Sequence, residues 1–196
     1  MELDRAARFL FENAMLKRTM RTGYAFLGTG SESAAAHSQS MAAAAMVIAG
    51  MVERQIDMER LLKICIFHDL PEARTGDANA VHKLYVARDE DRAMARAVEG
   101  MPFAHELIEL HRDYEAGDSI EAIVARDADQ IDMIISLKEQ LDIGNRDAEI
   151  WLPHVVKRLK LEASKALAQA ILDTHWASWW MDELLSGEEE VKRDDE

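Results

Sequence analysis

The chain has 196 residues, 48% of them hydrophobic and 31% charged, with a formal charge of −14. That length suits one well-buried domain rather than two, and the balance of apolar and charged residues excludes a mainly disordered chain. So acidic a chain argues against a nucleic-acid groove, which needs clustered Lys and Arg, but a metal and one or two arginines can reverse the sign locally for a small phosphate ester.

Three prolines and nine glycines leave little punctuation, and abundant Ala, Leu, Met, Glu and Arg favour helix. The expectation is a compact all-α fold, with one domain over residues 1–186 and a charged tail over 187–196. Leu3, Ala7, Leu10, Phe11, Ala14 and Met15 form a helical stripe within residues 2–20. Gly23, Gly28 and Gly30 then predict a loop from about Arg21 to Glu32. Ser31 or Ser33 can cap a second helix, whose His37, Met41, Ala44 and Ile48 share one face, so His37 belongs to the inward stripe. Asp57 caps a third helix that reaches His68 through Leu61, Ile64 and Cys65, and His68 continues that inward face. Pro71 and Gly76 bound a turn holding Glu72 and Asp77 near the helix end. The segment 78–88 is less regular, and Gly100-Met101-Pro102 marks another break. Further helices are predicted over 89–99, 103–116, 119–141 and 153–185. Trp176 and Trp180 share a face of the last one, a pattern of core or subunit packing.

Cys65 is the only cysteine, so no intramolecular disulfide forms. It sits in the apolar run Leu61–Phe67, where a buried inert thiol is the simplest reading. Met1-Glu2-Leu3-Asp4-Arg5 lacks the apolar core of a secretory signal. The longest apolar run, Met41 to Met51, is about half of what a membrane span needs. No membrane association is expected, and a cytoplasmic location is.

The segment His68-Asp69-Leu70-Pro71-Glu72-Ala73-Arg74-Thr75-Gly76-Asp77 concentrates one imidazole and three carboxylates in ten residues. Adjacent His and Asp side chains diverge on a regular element, so one packed core cannot hold both cheaply without a partner. A divalent ion resolves that conflict, because His nitrogen and Asp oxygen both suit it. His37 supplies a second inward imidazole. An acidic ligand from a later helix should complete the set, and Arg126-Asp127-Ala128-Asp129-Gln130-Ile131-Asp132 offers three. Periodicity does not choose among them. Asp127 shares a stripe with Ile120, Val124, Ile131 and Ile134, whereas Asp129 shares one with Ala122, Ala125, Asp132 and Met133.

His37, His68-Asp69 and a later aspartate resemble the H…HD…D signature of HD-domain phosphohydrolases. The pattern His-Asp-x-x-Glu-x-x-x-Gly-Asp, with Met20-Arg21-Thr22-Gly23-Tyr24, Glu32-Ser33 and Asp129-Gln130, is similar to the branch of bacterial 5′-deoxynucleotidases and the eukaryotic HD-domain-containing protein 2. The likeness runs from about Leu16 to Leu141. It implies a helical HD domain holding one divalent ion (manganese, cobalt, magnesium or zinc) on His37, His68, Asp69 and Asp129. It also implies a homodimer that acts on a small-molecule nucleoside monophosphate.

The reaction implied is conversion of a deoxynucleoside monophosphate to deoxynucleoside and phosphate. Glu72 is the candidate proton donor to the leaving alkoxide, with Asp77 as a second catalytic or substrate-binding carboxylate. Arg21, with Arg18 before it, is the candidate phosphate-binding residue. Thr22 departs from the tryptophan that follows the arginine in the bacterial enzymes, and Asp77-Ala78-Asn79-Ala80 lacks the prolines often found there. Alternatives from the same superfamily are hydrolysis of dNTPs or of alarmone nucleotides. Alarmone hydrolases place Asp after the motif glutamate, where this chain has Ala73. A non-catalytic metal- and nucleotide-binding sensor is the alternative of a different class.

Overall fold

The computed structural model describes the backbone of residues 2–194 and the side chains of residues 2–186. Helix starts follow the local chemistry closely. A side-chain oxygen at the N-cap accepts from a first-turn backbone N–H in α2 (Ala34–Met51, Ser33 oxygen to Ala36 N 3.2 Å) and in α3 (Met58–Phe67, Asp57 oxygen to Arg60 N 3.0 Å). The same holds for α6 (Glu90–Val98, capped by Asp89), α8 (Ile120–Asp142, capped by Ser119) and α9 (Arg146–Val156, capped by Asn145). The remaining helices are α1 (Leu3–Ala14), the short α4 (Glu72–Thr75) and α5 (His82–Tyr85), α7 (Ala104–Ala116), α10 (Glu162–Asp173) and α11 (Ser178–Asp194). There is no β-strand among the described residues, so the all-α reading holds, and no helix is long and apolar enough to cross a membrane.

α8 organises the rest. At 23 residues it is about 34 Å long at 1.5 Å per residue, and it packs against α2, α3, α7, α9 and α10. Both α2 and α8 bury small residues, and the two helices pack against each other. Ala34, Ala44 and Ala45 on α2 and Ala122, Ala125 and Ala128 on α8 are all buried. Met41, Ile48, Leu61, Ile64, Ile131 and Ile134 fill the space around them at 2% exposure or less, which makes each a site where truncation costs several kcal/mol, about 2–5.

Two glycines have a positional reason. Gly76 (φ +72°) ends α4 and turns the chain so that Asp77 comes back toward the site. Gly30 (φ +78°) lies flat against Tyr24, whose ring would come within 2.9 Å of any added Cβ. The loop that contains it is pinned at its base by an isolated antiparallel bridge between Met20 and Ser33, with Arg21 N–H donating to Glu32 O at 2.9 Å and Ala34 N–H to Thr19 O at 2.8 Å. This clasp holds Arg21 beside the start of α2.

The structure departs from the sequence expectations at both ends. The first helix stops at Ala14 instead of running to residue 20, passing through a 3₁₀ turn at Met15–Lys17. The expected loop from Arg21 to Glu32 contains a second 3₁₀ turn, Thr22–Phe26. The single helix expected over 153–185 is three helices, and Pro153 lies inside α9 rather than at a helix start. The break between α9 and α10 has a specific cause. Buried Asp127 of α8 accepts from Lys160 N–H (2.9 Å to Oδ1 and 3.1 Å to Oδ2) and from Leu161 N–H (2.8 Å), drawing those amides away from a continuing helix. α11 runs across the expected boundary at residue 187, and the side chains of 187–196 lie outside the described residues.

Asp127→Ala removes a charged acceptor from two part-buried amides. It should destabilise the fold by about 2–3 kcal/mol, read as a lowered midpoint in urea unfolding, while divalent-ion binding by the folded protein stays within about twofold of wild type.

Candidate metal and phosphate site

Three helices bring the site together. His37 enters from the first turns of α2, His68 closes α3 as its C-cap with Asp69 following, and Asp129 and Asp132 project from α8. One nitrogen of each imidazole is already engaged. His37 Nδ1 lies 2.6 Å from Asp132 Oδ2, and His68 Nδ1 is 3.0 Å from the Cys65 carbonyl, which can only accept. Both Nε2 atoms therefore point their remaining capacity into the same space. One ligand atom each of His37, His68 and Asp69 lie within 4.8 Å of one another. Asp129 Oδ1 stands 3.2 Å from His37 Nε2.

That donor set fits a divalent ion on two observations. His37 Nε2 is fully buried and makes no directed hydrogen bond, despite the nearby Asp129 oxygen. Such an orphaned atom is costly unless something accepts its lone pair. The charge balance points the same way. Glu32, Asp69, Glu72, Asp77, Asp129 and Asp132 gather around the site against the guanidiniums of Arg21 and Arg88. Burial opposes a charge on His37, but the Asp129 and Asp132 carboxylates beside its two ring nitrogens outweigh it and push the imidazole up to about 10. Burial would raise Asp69, yet His68, His37 and Arg21 hold it below its ordinary value, and Asp129 is lowered for similar reasons. A cation placed among these carboxylates would displace the proton from His37 and leave a neutral ligand.

A cleft of about 1010 Å³ opens above this cluster, and Arg21, His37, His68, Asp69, Glu72, Asp77 and Asp129 all line it. Arg21 is largely buried between Glu32 (Nε to Oε2, 3.6 Å) and Asp129 (Nη2 to Oδ1, 3.9 Å). Burial works against its charge, but Asp129, Asp69 and Glu32 outweigh this and keep it protonated. Arg18 does not join it: the 3₁₀ turn at Met15–Lys17 leaves that side chain exposed and off the cleft lining.

The two remaining carboxylates sit in different surroundings. Glu72 opens α4 and is buried. Burial pushes its carboxyl up, repulsion from Asp69 and Asp77 adds to this, and together they outweigh Arg88 to leave it at about 8. Arg88 reaches Glu72 at 3.4 Å while its guanidinium also binds the Gly76 carbonyl and Glu90. Asp77 is clamped instead. Its Oδ2 accepts from both the backbone N–H and the hydroxyl of Thr22 (2.6 Å to Oγ1). Thr22 Oγ1 in turn accepts from Asn79 N (3.1 Å) and Asn79 Nδ2 (3.2 Å).

Periodicity left Asp127 and Asp129 undecided, and the resemblance pointed to Asp129. Both border the cleft, but Asp127 commits its oxygens to the Lys160 and Leu161 amides of the α9–α10 link, while Asp129 stands beside His37. Sequence reasoning offered Asp132 only as a possible metal ligand and not as the partner of His37, and it missed Arg88 and the bond from Thr22 to Asp77. Asp132 had a usable signal, since it lies three residues after Asp129 on the same helix face. Arg88 and Thr22 had none, because each acts across a long sequence separation.

The sequence profile of the HD-domain family matches residues 13–171. The chain thus belongs to the HD-domain family, a fold that implies a divalent metal, and its His and Asp side chains form a group that could bind one. A Mus musculus protein named 5′-deoxynucleotidase HDDC2 is 31% identical over 149 residues, 73% of each chain. The Homo sapiens protein of that name is 28% identical over 188 residues, covering 86% of this chain and 91% of its own. Among solved structures, the PH0347 protein of Pyrococcus horikoshii superposes with a TM-score of 0.71 at 29% identity, over 84% of this chain and 97% of that one.

Asp132→Asn keeps the shape but weakens the bond that orients His37. Divalent-ion affinity measured by calorimetric titration should fall about 10- to 100-fold. His68→Ala should lower bound metal below one ion per ten chains under the same conditions, by analogy with loss of a direct ligand.

Proposed function

We propose that the chain is a divalent-metal-dependent 5′-deoxynucleotidase that converts deoxynucleoside monophosphates to deoxynucleosides and phosphate, and that it works as a cytoplasmic homodimer. The observation that carries the reading is the convergence of His37, His68 and Asp69 ligand atoms, with the His37 Nε2 orphaned, in a cleft that Glu72 and Arg21 also line. The names of the mouse and human relatives support the substrate class.

His37, His68, Asp69 and Asp129 would hold the ion, for which mixed nitrogen and carboxylate donors admit manganese, cobalt, magnesium or zinc. When bound, it supplies Lewis-acid polarisation of a phosphoryl oxygen and lowers the pKa of water. Arg21 binds the phosphate, its planar fork matching two phosphoryl oxygens. Burial keeps a proton on Glu72 at neutral pH; as a water molecule forms the new P–O bond, the bond to the 5′ oxygen breaks, Glu72 gives its proton to that leaving oxygen and regains one from the attacking water. Asp77 spends one oxygen on Thr22 and turns the other to the substrate, accepting from a sugar hydroxyl. In this division Glu72 is the acid and Asp77 the acceptor.

The deciding experiment is a phosphate-release screen of dAMP, dCMP, dGMP and dTMP across those four ions. Stoichiometric binding of the nucleotides with no turnover in any of them would sink the assignment. Glu72→Gln should lower kcat by about 10²–10⁴-fold with metal content retained. The group must be protonated to act, and its pKa is raised, so wild-type kcat should hold through neutral pH and fall as pH rises through the Glu72 pKa. That alkaline limb should be missing from the Glu72→Gln profile.

Thr22→Val removes the hydroxyl that clamps Asp77 but not the backbone N–H. The expected result is a KM for dNMP raised about 5- to 10-fold, with kcat changed by less than about twofold, consistent with loss of one charge-assisted hydrogen bond that acts in binding. Thr22→Ser should restore the wild-type KM.

A further inference from the structure

The cleft has two chemically different ends. At one lie the imidazoles and carboxylates described above. At the other, Trp151 and Val155 from α9 meet Tyr24, Leu27 and Met133. The catalytic groups make no use of this second end, and an apolar wall inside an otherwise charged cleft marks a place for an apolar part of a ligand.

Its position relative to the phosphate end is set by one helix. Asp129, Met133 and Ser136 all line the cleft, and their spacing puts them on one face of α8. Ser136 is seven residues beyond Asp129, about 10 Å along the axis. That is a separation of the size a sugar introduces between a 5′-phosphate and its base. Trp151 stands across from this face and is the only tryptophan in the lining. Its indole edge packs against the backbone at Gly23, where an added Cβ would lie 3.6 Å from Cη2. Phe26 meets the indole edge-on, with ring centroids 6.3 Å apart and planes at 88°. The ring is thus held in place by two neighbours, and it remains only half-buried. Tyr24 and Ser136 line the same cleft and bring hydroxyls to it.

We infer that this end is a nucleobase site, with Trp151 as the platform that a planar heterocycle packs on and Tyr24 and Ser136 as hydrogen-bonding groups at the base edge. The inference rests on the nucleotidase reading for the position of the phosphate. It adds that the enzyme selects nucleotides over simpler sugar phosphates through Trp151. Aromatic packing of this kind tolerates all four bases, because every base has a π-face. The site therefore recognises a base without choosing strongly among them.

The test compares dAMP with 2-deoxyribose 5-phosphate, which carries the same phosphoester and no base. Wild-type enzyme loaded with manganese should prefer dAMP by about tenfold or more in kcat/KM, the scale of one base–aromatic contact. Trp151→Ala should raise the KM for dAMP until the two substrates differ by less than about threefold, while 2-deoxyribose 5-phosphate turnover is unchanged. Trp151→Phe should keep most of the preference. Should Trp151→Ala fail to fold by circular dichroism, Trp151→Leu keeps the apolar bulk without the aromatic face and should give the same loss. Equal losses on both substrates, or no preference in wild type, would overturn the inference.

Binding provides a readout apart from turnover. In the Glu72→Gln protein, dAMP should quench tryptophan fluorescence saturably and 2-deoxyribose 5-phosphate should not, and adding Trp151→Phe should abolish that quenching. Quenching that survives Trp151→Phe overturns the base site. Failure of every phosphomonoester to turn over, with the Trp151-dependent quenching intact, strikes the reaction and leaves the base site standing.

Discussion

His37 is fully buried between two carboxylates of one helix, and most of the site follows from that placement. Asp129 and Asp132 lie one turn apart on α8 and so flank whatever packs against that face. An imidazole fits between them only if α2 and α8 approach closely. The alanines on both sides of that contact allow it, since larger side chains would hold the backbones apart. The same approach sets the clasp before α2, and through it the position of Arg21 beside Asp129. A buried imidazole with one nitrogen committed and the other orphaned is an expensive arrangement for a core. It makes sense as a ligand held ready by its neighbours.

Surplus negative charge is the second consequence. The carboxylates outnumber the guanidiniums near the cleft floor, and without a cation the proton affinity of His37 and Glu72 rises to compensate. These two groups differ in what a divalent ion would do to them. His37 would give up its proton to become a donor. Glu72 keeps its own through burial as well as through repulsion, which suits a group that must part with a proton only when an alkoxide forms. Arg88 tempers this shift and ties Glu72 to the Gly76 turn and to Glu90, so the acid is held from two sides. Asp77, near Glu72 in sequence, is governed instead by Thr22, which Asn79 braces.

Much of the helical layout was legible along the chain because its signals are local. Ser33, Asp57, Asp89, Ser119 and Asn145 cap helices through bonds to residues two or three positions on, and a sequence displays such bonds directly. The inward stripe through His37 and Met41, and the one ending at His68, needed only the helical period. The region after residue 142 was misread as one long helix because the feature that divides it is not local. Lys160 and Leu161 give their amides to Asp127, more than thirty residues earlier, and no periodicity reports that.

Asp127 and Asp129 show where the boundary lies. Sequence by itself determined that this chain is a helical HD-domain protein, that His37 and His68 face inward, and that an aspartate near residue 129 completes their set. It could do so because helical period, capping and the His-Asp motif are properties of short stretches. That Asp127 is tied to the α9–α10 link, that burial raises Glu72, and which aromatic ring walls the far end were decided by tertiary structure. Those outcomes depend on what lies across the space from each side chain: Lys160 and Leu161 for Asp127, His37 for Asp129, Arg88 for Glu72, and Gly23 and Phe26 for Trp151. Burial and electrostatic neighbours set these properties, and both exist only once the chain has folded.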